Sequence, residues 1–298
     1  MRSRAPDSAG AGTREAPAAN GVEHWRRLPF LRFAPCHFNR SFLARRVIVV
    51  VAHPNDETIA CGALLSRTSA VPVVLVTGGA PLEPADATGL GASGAQGYAE
   101  TRRAEMRRAL QIAGIRDDRL IALGFRDREV AQEIVPLAHK LAEIFLLHNS
   151  STVLTHAYEG GHPDHDATAL AVHLAGELLA RKGHSVAVFE MPFYRLGDDG
   201  PVHQSFTSGG GDGIGIALNP DEQALKARMM QCFATRKSIL APYKLDTERF
   251  RPAASEQFSQ LPNGGRLYYE TRDWGMTGAR WLSLAEEAIA AVIPPFPI

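Results

Sequence analysis

Short β-branched runs alternate with helically spaced stretches along the first two thirds of the chain. RVIVVVA at 46–52 is apolar without interruption, as a strand covered on both faces must be, and TIACGALLSRT at 58–68 follows it with Ile59, Leu64 and Leu65 at helical spacing. PVVLVTGG at 72–79 repeats the strand theme and stops at Thr77-Gly78-Gly79. After a Gly, Ala and Pro-rich loop at 80–97, TRRAEMRRALQIAG at 101–114 predicts a helix with Met106, Ala109, Leu110 and Ala113 on one face and Gly114 at its end. LIALG, STVLTHA and SVAVFEM predict three further strands, with helices over 130–148, where Pro136 is expected to introduce a kink, and over 167–183. This rhythm predicts an α/β fold, a Rossmann-like three-layer α/β/α arrangement around a mostly parallel sheet.

Beyond Leu196 the rhythm breaks into a C-terminal elaboration. Residues 197–213 read as a loop or linker, 213–218 as a short strand, and 221–240 as one amphipathic helix with Leu225, Met229, Phe233 and Leu240 inward. RLYYETRDW at 266–274 reads as a strand with aromatic edges, and 284–293 as a last helix. Residues 1–22 offer almost nothing to bury and predict a disordered extension, leaving 23–298 as a single domain.

Charge and cysteine content narrow the setting. Lysine plus arginine equal aspartate plus glutamate at 32 each, so no net field draws the protein to nucleic acid or membrane. The basic stretch TRRAEMRR, interleaved with Glu100 and Glu105, reads as a solvated helix face. Cys36, Cys61 and Cys232 are few and scattered, no apolar stretch is long enough for a membrane span, and a cytoplasmic protein is expected. A homo-oligomer stays open. The glycine run at 209–213 lacks a following Gly-Lys-Ser/Thr, and the first βα turn is HPNDE instead of Gly-x-Gly-x-x-Gly, so neither a phosphate loop nor NAD is expected.

Two loops carry the chemistry. HPNDE at 53–57 leaves the first strand and HPDHD at 162–166 follows the fourth, and in a parallel sheet both βα loops face the crevice beyond the strands' carboxyl ends. His53 and Asp56 can offer one nitrogen and one oxygen to a metal, and His165 a second nitrogen. Asp164 and Glu57 suit the orientation of those imidazoles, and His162 suits a charged partner for developing negative charge. The bland alternative is that Asn55, Asp56 and Asp164 simply cap the helices that follow. Two such loops at equivalent strand ends favour a site.

At these residues, AHPNDE and HPDH, the sequence resembles the PIG-L or LmbE-like family of zinc-dependent N-acetylglucosaminyl de-N-acetylases, whose motifs are Ala-His-Pro-Asp-Asp-Glu and His-Pro-Asp-His. The resemblance covers Arg46 to about Met191 and, more loosely, the C-terminal third, and implies hydrolysis of an N-acetyl group from an amino sugar or sugar conjugate. It implies His53, Asp56 and His165 as ligands of Zn2+, a site type that also takes iron or cobalt. It further implies His162 at the oxyanion or leaving amine, and Arg102 (with Glu105) and Asp127 (after Leu123-Gly124) at the sugar. Tyr268, Tyr269 and Trp274 are candidates for an acceptor wall.

Asn55 departs from the motif at the general-base position. An amide has no useful basicity near neutral pH, and general-base help is worth about 10²–10⁴ in rate. Three accounts are open: an engineered change that traps substrate, a natural one in which Asp164, Asp166 or His162 moves the proton, or a catalytically silenced zinc-dependent sugar-binding protein.

Overall fold

The computed structural model describes residues 46–68, 70–80, 94–207, 213–254, 257–272 and 274–293, so the expected extension at 1–22 lies outside the described residues. The first half runs β1 (Val47–Val51), α1 (Asp56–Ser66), β2 (Val73–Thr77), α2 (Gly94–Ile112), β3 (Leu120–Phe125), α3 (Ile134–Leu147), β4 (Thr152–His156) and α4 (Pro163–Ala180). It continues through β5 (Ala187–Met191), β6 (Tyr194–Leu196), β7 (Pro201–His203), β8 (Ile214–Ala217), α5 (Pro220–Gln231), α6 (Lys237–Leu240), β9 (Thr247–Pro252) and α7 (Gly278–Val292).

Among the described residues, seven strands form one sheet in the order β3-β2-β1-β4-β5-β9-β8. β1 to β5 pair in parallel, and the C-terminal elaboration adds β9 and β8 antiparallel at one edge. Alternate residues of the central strands feed two cores. Ile48, Val50, Val74, Val76 and Val153 pack with α3, α4 and α7, while Val47, Val49, Val51, Val73, Leu75 and Leu154 pack with α1, α2 and α5. Burial on both faces is why the strands read as unbroken apolar runs, and the result is the expected three-layer α/β fold.

β1 has β2 on one side and β4 on the other, so the strand order reverses direction at β1/β4. Ligands of open α/β sheets bind at such a switch point, beyond the carboxyl ends of the strands. The two polar loops leave β1 and β4.

Several expectations give way to packing. Pro136 does not kink α3, because the helix begins at Ile134 and the proline falls in the first turn, where its missing N–H has no intrahelical partner to lose. α2 begins at Gly94, inside the loop expected at 80–97. The expected linker at 197–213 contains β7, which pairs antiparallel with β6 just before it. The helix expected over 221–240 stops at Gln231 and resumes as a 3-10 turn, Ala234–Arg236, followed by α6, because Phe233 leaves helical geometry at φ −94 and ψ 67.

Residues 268–271 form a 3-10 turn instead of a strand. Tyr268 donates its N–H to the Gly160 carbonyl at 2.7 Å, and Tyr269 is fully buried, so the aromatic spacing serves a docked turn. β9, TERFRP, has no apolar alternation because Glu248 and Arg251 occupy buried positions beside Phe250.

Candidate metal centre

The first loop folds onto itself through its own polar atoms. The His53 N–H donates to Asp56 Oδ2 at 2.8 Å, and the Asp56 N–H returns to the His53 carbonyl at 3.2 Å. Asn55 stands at the N-cap of α1 with φ 108 and ψ −22, a conformation disfavoured for a side-chain-bearing residue, and its side chain makes no cap bond. Its N–H is taken by Glu57 Oε2 at 3.1 Å, and burial pushes the Glu57 carboxyl up to about 7. The capping alternative therefore describes where Asn55 sits but not what its side chain does.

In the second loop the cap is His162, whose Nδ1 accepts from the Asp164 N–H at 3.1 Å, with Pro163 opening α4. His165 thus lies in the first helical turn and turns Nε2 toward β1. Asp164 accepts from the Arg128 and Val130 amides at 2.7 and 3.3 Å and faces His53 Nε2 at 3.1 Å. Asp166 lies beneath the loop, where its Oδ1 accepts from the Glu159 and Gly160 amides at 3.2 Å while Oδ2 has no hydrogen-bond partner among the described residues, and burial pushes its pKa up to about 8.

His53 Nδ1, Asp56 Oδ2 and His165 Nε2 converge. The nitrogens are 3.2 Å apart, and each lies 3.5 Å from the Asp56 oxygen. Ligand bonds of about 2.0–2.1 Å in tetrahedral geometry require ligand atoms about 3.3 Å apart, so the triangle already has the right edge. The donor set fits as well: ring nitrogens and a carboxylate oxygen, buried together, suit a divalent cation of the zinc type.

His53 Nε2 lies 3.1 Å from Asp164 and 3.0 Å from Asp127 Oδ1, which fixes its tautomer with the N–H outward and Nδ1 available. A second grouping of His53, His162 and Asp164 also converges, but His162 Nδ1 and both Asp164 oxygens already hold backbone N–H groups. Electrostatics follow the same lines. Burial favours the neutral ring at His53, yet the Asp127, Asp164 and Asp56 carboxylates outweigh it and raise the pKa. Burial, with the neighbouring rings, holds His162 and His165 well below the usual imidazole value.

Arg102, expected at the sugar, is only 2% exposed. It donates to the Pro54 carbonyl at 2.7 Å, Asn55 Oδ1 at 2.6 Å and the Gly79 carbonyl at 2.5 Å, so it braces the first loop from behind. Gly79 has φ +62 and no room for a Cβ beside that guanidinium. Glu105 is buried too, so the face expected to be solvated is partly a core face; it receives the Thr235 N–H at 3.0 Å. Asp127, expected at sugar hydroxyls, is 8% exposed and lies against His53.

His156 sits behind the triad. Its Nε2 accepts the Ala52 N–H at 2.8 Å, and its ring stacks on His165 with centroids 4.0 Å apart. Its position at the end of β4 was the available sequence signal. Tyr158 and Glu159 serve the framework: Tyr158 Oη donates to the Gln260 carbonyl and accepts from Trp281, while Glu159 accepts the Phe193 and Tyr194 amides. Of the three aromatic wall candidates, Tyr269 belongs to the core, whereas Tyr268 and Trp274 are half-buried, with Trp274 4.7 Å from the His162 ring.

The switch-point crevice brings together two histidines and a carboxylate that could hold a metal ion, and comparison with known proteins gives the chain a family. The chain belongs to the PIG-L family, whose GlcNAc-PI de-N-acetylase profile matches residues 48–175. It is 31% identical over 162 residues to the "Probable N-acetyl-alpha-D-glucosaminyl L-malate deacetylase 2" of Bacillus cereus, covering 49% of this chain and 69% of that protein. It is also 31% identical over 144 residues to the 1D-myo-inositol 2-acetamido-2-deoxy-alpha-D-glucopyranoside deacetylase of Thermobifida fusca, covering 41% of this chain but only 50% of that protein.

Among solved structures, the A40926 pseudoaglycone deacetylase aligns with TM-score 0.54 at 20% identity, covering 70% of this chain and 99% of the other. A deacetylase of the teicoplanin pathway aligns with TM-score 0.53 at 18% identity, covering 71% and 99%. These two likenesses concern the fold.

Proposed function

We propose that the protein is a metal-dependent N-deacetylase that removes the acetyl group from an N-acetylglucosamine conjugate, within one domain spanning 23–298. The observation that carries this reading is the buried triangle of His53 Nδ1, Asp56 Oδ2 and His165 Nε2, with edges of 3.2 and 3.5 Å. Family membership supports the substrate class. The curated relatives are named for deacetylating an inositol and a malate conjugate of the sugar.

Zn2+, or another divalent ion of similar preference, would be held by these three residues and would supply the Lewis acidity that activates water and polarises the acetamide carbonyl. Asp164, pinned by two backbone amides, holds the His53 ring in its ligating tautomer. His162 keeps Nδ1 on the Asp164 N–H, so the neutral ring carries its proton on Nε2. That N–H is suited to hydrogen-bonding the oxyanion. Trp274 and Tyr268 offer ring faces for a sugar. The scattered cysteines support a reducing, cytoplasmic setting. Among the described residues no helix is long and apolar enough to cross a membrane.

Asn55 cannot accept the proton of attacking water, and its Oδ1 is engaged by Arg102 at 2.6 Å. Of the alternative bases, Asp166 is buried away from the triangle and Asp164 is committed to His53 and backbone. Asn55 therefore also favours a second reading, a sugar-binding protein without turnover. The deciding experiment is amine release from N-acetylglucosaminyl malate, its inositol counterpart and simpler N-acetyl sugars, with zinc, by this chain and by Asn55→Asp. Release by both supports a working enzyme, and release by the variant alone supports the silenced binder. Turnover that is indifferent to chelation by either protein would remove the metal from the mechanism.

A further inference from the structure

The three converging groups are not held in the same way. His53 is fixed at Nε2 by Asp127 and Asp164, at 3.0 and 3.1 Å. Asp56 is fixed by the His53 N–H on Oδ2 at 2.8 Å and by Asn55 Nδ2 near Oδ1 at 3.3 Å. His165 is the exception. Its Nε2 turns into the triangle, while its buried Nδ1 has no hydrogen-bond partner among the described residues. A ligating imidazole is ordinarily oriented by a hydrogen bond at its second nitrogen. Around His165, ring packing takes that place. The His156 ring makes the shortest of these contacts, stacked at 4.0 Å and 24°, and Phe193 meets His165 edge-on at 5.1 Å. Phe193 also packs on His156 at 4.4 Å, so the three rings close on one another and rotation of the His165 ring would break the stack.

The same side chain reaches the other half of the triangle. β1 and β4 pair in register from Val47 with Thr152 to Val49 with Leu154. Beyond those pairs, His156 Nε2 accepts the Ala52 N–H at 2.8 Å, so a side chain of β4 continues the connection to the residue just before His53. An accepting Nε2 carries its lone pair, which leaves the neutral ring with its proton on Nδ1. Nε2 also lies 3.5 Å from Asp56 Oδ2. The Nδ1 of His156 is buried without a hydrogen-bond partner among the described residues, a cost that an apolar ring in its place would avoid. An apolar ring could not accept the Ala52 N–H.

We propose that His156 is the positioning residue of the candidate metal site, orienting His165 through the ring stack and placing His53 and Asp56 through the Ala52 N–H. The inference rests on the reading of the triangle as a metal site and goes beyond it, because His156 is not one of the proposed ligands. It is fully buried, so it acts through its neighbours and not on a substrate. Its contacts span the reversal of strand order between β1 and β4, where the two loops have no other reason to keep a fixed spacing than the packing between them. One imidazole thereby ties together ligands that are 112 positions apart in the chain.

The test uses the full chain and its His156→Ala, His156→Gln and His156→Phe variants, each stripped of metal. Zinc affinity is measured by competition with a chelator, ligand geometry by the visible absorption of bound Co2+, and stability by the denaturant midpoint in chelator. The Gln variant keeps an acceptor for Ala52, the Phe variant keeps a ring against His165, and the Ala variant keeps neither. His156→Ala is expected to weaken zinc binding about 10–100-fold and to shift the cobalt bands, the range for removing a group that orients a ligand. The Gln and Phe variants are each expected to recover part of the loss, and they carry the comparison if His156→Ala does not fold. Zinc affinity and cobalt bands unchanged in the variants overturn the proposal even where the midpoint falls, since the role would then be packing alone. Full recovery in either the Gln or the Phe variant overturns the two-sided role. Failure of the unaltered chain to bind zinc or cobalt removes the metal reading itself, and the inference with it.

Discussion

An amide at position 55 changes what the first loop can do. In place of a carboxylate that could take a proton, Asn55 offers Oδ1 to Arg102 at 2.6 Å and Nδ2 toward Asp56 at 3.3 Å, so the side chain becomes a strut between Arg102 and Asp56. Restoring a carboxylate with Asn55→Asp is expected to raise kcat by about 10²–10⁴ on a cleaved substrate, since general-base help has that range. Initial rates on the same substrate check it. Arg102 acts on the loop's shape. Arg102→Leu removes the donors of three buried oxygens and is expected to lower stability by more than about 2 kcal/mol, read from the denaturant midpoint. A substrate contact at the surface would leave that midpoint in place. His53, Asp56, His162 and His165 were legible because polar residues with no packing value followed strands. The buried role of Arg102 was not, because TRRAEMRR looks the same whether its arginines face water or a carbonyl.

At the scale of elements, α1 is held by a device supplied from the C-terminal elaboration. Cys61 breaks its helical geometry at φ −146 and ψ 25, and the amides of Ala63 and Leu64 donate to Glu248 of β9 at 2.8 and 3.0 Å. Lys226 of α5 neutralises that carboxylate at 2.9 Å with both side chains about 1% exposed. Removing one partner leaves a charge buried alone, so Glu248→Ala and Lys226→Met are each expected to cost roughly 3–5 kcal/mol. Chemical denaturation checks this, and a loss below about 1 kcal/mol in both would mean the pair is solvated. The second loop depends on close approach: a Cβ at Gly161 would overlap the Tyr194 carbonyl, so Gly161→Ala is expected to weaken metal affinity by displacing the turn before His162. Zinc titration measures that. The bond from Ala63 to Glu248 joins residues 185 positions apart, and no local pattern in TERFRP or ALKARMMQ announces it.

For the molecule as a whole, the two cores clamp a sheet whose order reverses between β1 and β4, and the triangle of ligands lies where those strands end. His53 and Asp56 come from one side of the reversal and His165 from the other, so the three groups proposed to hold the metal converge only in the folded state. Zinc at about 100 times its dissociation constant is therefore expected to stabilise the fold by roughly 2.7 kcal/mol and to raise Tm by about 5 °C. His165→Ala should abolish that shift in a thermal melt with and without chelator.

The sequence by itself determined the parallel sheet and the two polar loops at the ends of its strands. Strands buried on both faces must be continuously apolar, and side chains that do not pack stand out where such strands end. Tertiary structure alone decided which polar residues turn inward: Arg102 and Glu105 in α2, Lys226 in α5 and Glu248 in β9 are buried because distant partners satisfy them. It also turned RLYYETRDW from an expected strand into a docked 3-10 turn. Periodicity reports the average environment of a segment, whereas the burial of a charge depends on a specific partner, whose position only the packed fold supplies.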